Sequence, residues 1–281
     1  MKKVFFILLT FVLAFAICAC GNEKAKAEDP TVVTATGTYI GQEKNGVSEF
    51  LGISYAAPIK RWQPPEAPKT TSDEVIYAQE WGPSCIQIDD KVEVASQWKQ
   101  DEDCLDLNIW TKDINTKNKP VMVFFHGGGN WRGGTYDPSY YGGNFVKNLN
   151  DKEDCIMVTV NFRLGIFGSL NLSSLNGYTE EYKDSINLNV LDQIRALEWI
   201  NENIENFGGN PENVTIFGQS AGGGAVSALL TVDKAKGLFH KVIAESGNIF
   251  NREISIEQSL KNAEKVFDIL EVSSLEELLA I

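Results

Sequence analysis

Histidine is nearly absent from this chain: only two occur among its 281 residues, His126 and His240. They lie far apart, and neither has the cysteine or histidine neighbours that a zinc site requires. We therefore expect no metal and no cofactor. A reaction that needs a histidine base must take it from these two residues or from outside this sequence.

Positive charge is also scarce. The chain has 25 Lys and Arg against 38 Asp and Glu, which gives a formal net charge of −13. Such a surface repels phosphates, so we expect no nucleic-acid partner. Internal repeats are missing, and 43% of the residues are apolar, enough for a core in one large domain or at most two.

An apolar run long enough to span a membrane is missing too, but the N-terminus is typical of an export signal. Residues 4–19 are almost entirely apolar and follow two lysines, yet they are short for a span of about 20 residues. Residues 17–20 resemble a bacterial lipobox. This predicts a lipoprotein-type signal peptide at residues 1–19 and a lipid on Cys20.

The predicted location is therefore outside the cytoplasm. Residues 20–33 would be a flexible tether, and the lipid would be the protein's only contact with the membrane. The alternative is ordinary secretion, with cleavage after a small residue such as Ala16 or Ala27.

Export permits disulfide bonds. The chain has five cysteines; on the lipoprotein interpretation Cys18 would leave with the signal peptide and Cys20 would carry the lipid. Cys155 begins an apolar run typical of a buried strand, which indicates an inert core thiol. Cys85 and Cys104 remain as the natural pair, and closing their loop would add roughly 3 kcal/mol in the chain-entropy model. Two free thiols are the alternative.

Apolar segments alternate with helical patterns after the tether. The predicted strands are 105–110, 121–125, 156–162, 214–217 and 242–244, after a hairpin within 34–57. The predicted helices are 188–207, 221–230, 256–270 and 275–281. Segment 105–110 alternates as a half-buried strand does, whereas 121–125 is apolar on both faces, as in a covered central strand. We predict an α/β fold with a mainly parallel sheet between helices.

Residues 218–222 form a G-x-S-x-G motif. An apolar strand leads into it and a helix of small residues follows, the setting of a nucleophile elbow. The strained turn would expose the hydroxyl of Ser220, and the amide of Ala221 would face a developing oxyanion. An idle serine in a glycine-rich turn is the alternative.

A glycine triplet, Gly127 to Gly129, follows His126 directly after the central strand. Acyl transfer passes through an oxyanion, and each backbone donor that contacts it is worth roughly 3–4 kcal/mol in the transition state. Glycine lets those donors approach closely. Alone, the triplet is equally consistent with a flexible loop.

The base that this serine needs is missing. On the fold that the elbow indicates, the order along the chain is serine, acid, histidine. His240 precedes strand 242–244, which is too early and at the wrong end of the strand to reach Ser220, so we interpret it as a surface or cap residue. His126 is interpreted as shaping its loop.

Together these motifs resemble the type B carboxylesterase/cholinesterase family of α/β-hydrolases. The matching segments are WGPSC (81–85), EDCLDLN (102–108), HGGG (126–129), VNFRLG (160–165), FGGNPENVT (207–215) and ESG (245–247). The resemblance covers nearly all of residues 34–250. It implies an α/β-hydrolase fold and hydrolysis of a small-molecule carboxylic ester through an acyl-enzyme.

The resemblance also implies roles for individual residues. These are Ser220 as nucleophile; Gly128, Gly129 and Ala221 as the oxyanion hole; Cys85–Cys104 as a disulfide; and Arg61–Glu102 and Arg163–Asp192 as structural ion pairs. Family members are longer, and their catalytic acid and histidine have no counterpart here. Residues 34–281 are therefore expected to be the N-terminal part of the hydrolase domain, C-terminally incomplete, as in a truncated or split gene product or part of a longer sequence.

Three hypotheses follow. The first is an exported carboxylic ester hydrolase whose acid and histidine lie outside this sequence. The second is a catalytically inactive binding module of the same fold, against which the intact serine and glycine motifs argue. The third is a split enzyme, in which a second chain supplies the acid and the histidine.

Overall fold

The computed structural model describes residues 29–88, 98–248 and 254–281. Its strands are β1 (Thr31–Thr34), β2 (Gly37–Ile40), β3 (Gln42–Lys44), β4 (Val47–Ser54), β5 (Val75–Tyr77), β6 (Ser84–Cys85), β7 (Gln100–Asp101), β8 (Asp106–Thr111), β9 (Lys119–Phe125), β10 (Ile156–Val160), β11 (Gly209–Gln219) and β12 (Lys241–Glu245). Its helices are α1 (Gly142–Asn148), α2 (Gly165–Gly168), α3 (Leu188–Asn203), α4 (Ala221–Leu229), α5 (Ile256–Leu270) and α6 (Leu275–Leu279).

Seven strands form the central sheet in the order β12-β11-β9-β10-β8-β4-β3. The four strands from β12 to β10 pair in parallel, as predicted. The pairs β10–β8, β8–β4 and β4–β3 are antiparallel, so the sheet is mixed rather than mainly parallel. The difference arises partly at Asn45 and Gly46, both with positive φ, because their tight turn joins β3 and β4 as a hairpin.

Helices cover both faces of the sheet. Val121 and Val123 of β9 are completely buried in the cluster that contains the apolar side of α3. Phe124 points to the other face and packs in a cluster with Val146 of α1. The prediction of a covered central strand at 121–125 is confirmed, because β9 lies between β11 and β10 with helices above and below it.

Strand β8 corrects one expectation. Its alternating pattern predicted a half-buried strand, but all six residues are buried. The polar positions find partners inside the protein: the Asn108 amide donates to Thr135 Oγ1 at 3.0 Å and Thr159 Oγ1 at 3.1 Å, and Asn161 Nδ2 donates to the Asp106 carboxylate. Burial raises the pKa of Asp106 to about 8.

Helix α3 ends earlier than its apolar pattern suggested. The helix stops at Asn203, and a turn carries the chain to Gly208, whose φ is +94°. The amide of Gly209 donates to Ile204 O at 2.9 Å and so closes the helix end. Apolar spacing continues through this turn because its side chains still face the core.

The two ends of the described chain pack differently. β1 pairs with β2 and begins before residue 34, the predicted start of the folded domain, so part of the proposed tether belongs to a sheet. Helices α5 and α6 confirm the two C-terminal helices; they pack through Phe267 and Leu278 on a cluster that includes Leu172, apart from the central sheet.

The predicted signal peptide, residues 1–19, and Cys20 lie outside the described residues. Within the described ranges, the structure contains no helix with the length and apolar content of a membrane span.

Candidate active site

Ser220 occupies the turn between β11 and α4, the strand–turn–helix arrangement that the motif predicted. Its backbone has φ 57° and ψ −115°, a conformation that residues other than glycine rarely adopt. The turn is tight because a Cβ on Gly222 would lie 1.9 Å from Phe125 O, and one on Gly218 would lie 2.5 Å from Gly222 C. Both flanking positions therefore require glycine.

The neighbouring edge strand holds the backbone of the turn. Ser220 N donates to Glu245 O at 2.8 Å, and Gly224 N donates to Ser220 O at 3.0 Å. A Cβ on Gly247 would lie 1.9 Å from Ser220 O. The segment 245–247, noted in the sequence only as a family motif, therefore supports the turn directly.

A glycine-rich loop faces this turn. A Cβ on Gly127 would lie 2.9 Å from Gln219 O and 3.4 Å from Ser220 Cβ, so Gly127 adjoins the serine. Gly128 and Gly129 follow with φ of 103° and 71°, values that favour glycine. Serine and glycine triplet are distant in sequence, and the C-terminal ends of β9 and β11 bring them together.

His126 helps to shape this loop. It is buried, its ring stacks on Phe162 with centroids 4.5 Å apart, and its Nδ1 donates to Gly127 O at 2.7 Å. Burial lowers the pKa of His126 to about 4, so the ring is neutral near pH 7. The ring therefore has a structural role in the loop, as interpreted from the sequence.

His240 lies at the opposite end of the sheet. Its backbone N donates to Val214 O at 2.8 Å, and its Nδ1 accepts from Val214 N at 3.2 Å. Val214 pairs near the beginning of β9, whereas Ser220 follows the other end of β11. His240 is therefore not placed to take a proton from Ser220.

A cavity of about 780 Å³ lies between α3 and α4, and Ala221, the residue after Ser220, is part of its lining. Small residues of α4 form one wall, including Ala221, Ala225 and Ala228, and Val190 and Ile194 of α3 contribute another. Sequence reasoning missed this cavity. Its signal was the run of small side chains after Ser220, which leaves space between α4 and α3.

The predicted disulfide Cys85–Cys104 is present, and the thiol of Cys155 is buried, with a pKa raised by burial to about 11. Two predicted ion pairs are also present. These are Arg61–Glu102, with Nη2 to Oε1 at 2.5 Å, and the buried pair Arg163–Asp192, with Nη2 to Oδ1 at 2.6 Å. The second pair ties the loop after β10 to α3.

Known proteins share these features. The sequence profile of the carboxylesterase family matches residues 28–279. The chain is 41% identical over 247 residues to the para-nitrobenzyl esterase of Bacillus subtilis, which covers 86% of this chain and 48% of that protein. It is 36% identical over 288 residues to a medium-chain fatty acyl-CoA hydrolase precursor of Anas platyrhynchos, covering 92% of this chain and 48% of that protein.

Solved structures agree. A thermophilic pNB esterase has a TM-score of 0.80 and 40% identity, covering 90% of this chain and 51% of that chain. A carboxylesterase of Geobacillus stearothermophilus has a TM-score of 0.80 and 36% identity, covering 89% of this chain and 50% of that chain. The chain spans about half the length of the relatives it matches. The resemblance seen in the motifs is confirmed: this chain has the α/β-hydrolase fold and belongs to the carboxylesterase family.

Proposed function

We propose that this chain supplies the nucleophile and the oxyanion hole of a carboxylic ester hydrolase. The observation that carries the proposal is the strained turn at Ser220, directly against the glycine loop at Gly127. Ser220 Oγ attacks the ester carbonyl carbon, the alcohol leaves, and an acyl-enzyme remains. Water then attacks the acyl carbon and releases the acid, which regenerates the serine hydroxyl.

The amides of Gly128, Gly129 and Ala221 are the proposed oxyanion donors. Positive φ at the two glycines supports this role, because it turns successive amides in directions that ordinary strand backbone does not allow. Ala221 begins α4, where the first amides have no partner within the helix and carry partial positive charge.

The catalytic histidine and acid are proposed to come from outside residues 1–281. His126 and His240 are both engaged elsewhere, and the relatives are about twice as long. The missing groups belong either to the same polypeptide or to a separate second chain. The nucleotide sequence after codon 281 distinguishes the two arrangements, and residues 1–281 alone should hydrolyse esters roughly a millionfold more slowly than the complete enzyme.

The proposed substrate is a small-molecule carboxylic ester. The cavity between α3 and α4 is the proposed place for one of its two organic groups, since its lining combines apolar side chains of both helices with Ala221, the residue after the nucleophile. Two of the relatives, the para-nitrobenzyl esterase and the fatty acyl-CoA hydrolase precursor, support acyl transfer chemistry.

Export is proposed on the sequence of residues 1–19, with lipid attachment at Cys20 as the specific form. The disulfide Cys85–Cys104 supports an oxidising compartment. The wild-type protein should then be recovered in the membrane fraction. Release of the wild-type protein into the medium would instead support ordinary secretion.

Fluorophosphonate labelling of the full-length protein tests the nucleophile. The wild type should label, and Ser220→Ala should not. Ser246→Ala is a matched control, because Ser246 also follows a strand of the sheet with positive φ, 51°, yet it is not the motif serine. Labelling that survives Ser220→Ala would rule out Ser220 as the nucleophile, and a wild type that does not label would favour a binding module.

A further inference from the structure

One glutamine connects the disulfide-bonded segment to the glycine loop. Gly133 N donates to Gln87 Oε1 at 2.9 Å, and Gln87 Nε2 donates to Gly133 O at 2.9 Å. A single side chain thus satisfies both backbone polar groups of Gly133. This paired contact fixes the position and the orientation of that residue, as a strand partner would.

Gln87 is itself firmly held. Its Nε2 also lies 2.7 Å from Ser84 Oγ and 3.0 Å from Cys85 O, and its backbone N donates to Gln100 Oε1 at 2.8 Å. Cys85 lies in β6, pairs with β7 and is cross-linked to Cys104. The glutamine therefore extends from a covalently closed, strand-paired base.

Gly133 in turn lies against the glycine triplet. A Cβ there would be 2.6 Å from His126 Nδ1 and 2.8 Å from Gly127 O. Gly127 adjoins Ser220, as described above. Close contacts therefore run from Gln87 through Gly133 and Gly127 to the nucleophile.

The loop needs such support because of its composition. Five of the nine residues 126–134 are glycine, and glycine loses the most conformational freedom when it is ordered. Oxyanion donors act only when they are fixed before the charge develops. Without an external contact, a segment this rich in glycine samples other conformations.

We propose that Gln87 is a positioning residue for the oxyanion hole: it fixes the loop that carries Gly128 and Gly129 at the distance from Ser220 that acyl transfer requires. The proposal rests on the proposed function for its catalytic consequence. Its structural part, the ordering of residues 126–134 by Gln87, stands separately.

The test compares Gln87→Leu and Gln87→Glu with Gln79→Leu in the full-length protein. Gln79 is a matched control, because it is also partly buried and its Nε2 donates to a backbone carbonyl, Gly41 O at 2.8 Å, away from the loop. Hydrogen–deuterium exchange of residues 126–134 reports on loop order. Fluorophosphonate labelling at several probe concentrations gives two separate quantities, the maximal labelling rate and the probe concentration at which half of that rate is reached.

Gln87→Leu should raise hydrogen–deuterium exchange in residues 126–134 and lower the maximal labelling rate by up to about 100-fold, the loss that a misplacement of about 1 Å can produce. The probe concentration at half of the maximal rate should not change, since the probe's binding contacts remain. Gln79→Leu should change neither quantity.

Gln87→Glu gives a pH signature that lost packing alone does not. As a carboxylate it still accepts from Gly133 N but repels Gly133 O, whereas the protonated acid donates to that oxygen. Its labelling rate relative to the wild type at the same pH should therefore rise as the pH falls. This variant also decides the matter if the leucine variant fails to fold.

The proposal would be overturned if both Gln87 variants had the same exchange in residues 126–134 and the same labelling rate as the wild type. It would also be overturned if Gln79→Leu changed these two quantities as much as Gln87→Leu does. Failure of the wild type to label would count against the proposed function only. In that case the exchange of residues 126–134 would still decide whether Gln87 orders the loop.

Discussion

Strands β9 and β12 flank the strand that leads to Ser220, and they stabilise it in different ways. On one side, Val121, Val123 and Phe125 of β9 are completely buried. On the other, β12 is mostly exposed, with Ile243 44% accessible. Backbone pairing joins β11 to both strands, and apolar packing adds to it mainly on the β9 side. Among the described residues, the strand that leads to the elbow therefore has one buried and one exposed neighbour.

The largest expected loss of stability comes from replacing one of two glycines that have equally close contacts with a backbone oxygen. A Cβ would lie 1.9 Å from a backbone oxygen at both Gly222, facing β9, and Gly247, beyond β12. Gly222→Ala should cost about 3 kcal/mol of unfolding free energy, the upper end of the usual range for overpacking, since the strand that it contacts is buried. Gly247→Ala should cost clearly less, because the exposed edge can shift. If urea unfolding showed the same loss of unfolding free energy in both variants, the proposed difference between the β9 side and the β12 side would be wrong.

The buried interior should also respond to pH through Asp106. Burial raises its pKa to about 8 from an ordinary value of 3.8. Because the folded-state pKa is the higher one, its stabilising contribution is complete below about pH 4 and is lost as the pH rises to about 8. Between pH 5 and 8 the loss should be on the order of 3 kcal/mol.

Asp106→Asn removes this titration. The decrease in Tm between pH 5 and pH 8 should therefore be smaller in the variant than in the wild type. The same decrease in both proteins would show that Asp106 is already ionised at pH 5 in the folded state.

Alanine substitutions of apolar residues sharpen the comparison of the two strands. Val123→Ala in β9 should cost about 2 kcal/mol, from lost burial and the cavity left behind. Ile243→Ala in β12 should cost about 0.5 kcal/mol, since much of that side chain already contacts water. A larger cost at Ile243 would mean that β12 is covered in the protein as it exists in solution.

The smallest expected effect is an increase in the free energy of unfolding. Ser220→Gly should stabilise the protein by roughly 1 kcal/mol, because glycine adopts the turn's positive φ without strain, while labelling is lost. Thermal unfolding measures the gain. Unchanged or lower stability would show that the turn stores no strain at this residue.

Sequence was sufficient where the pattern is local. The G-x-S-x-G turn, the covered strand β9 and the helix that begins at Ala221 each depend on neighbouring residues, and each lies where predicted. The contact between Ser220 and Gly127 required only the further step that parallel strands end at the same edge of the sheet.

Sequence was insufficient where partners are distant. The alternation in β8 indicates polar side chains on one face, but not that Thr135 and Asn161 meet them in the interior. The contact of Gln87 with Gly133 has no periodic signal at all. The mixed order of the sheet likewise depends on which strands pair, which the pattern of each strand does not contain.

The most direct test of the account is a crystal structure of the full-length protein after fluorophosphonate labelling. We expect phosphorus bonded to Ser220 Oγ and a phosphonyl oxygen about 2.7–3.1 Å from the amide nitrogens of Gly128, Gly129 and Ala221. An adduct on another residue, or a phosphonyl oxygen directed away from those amides, would contradict it.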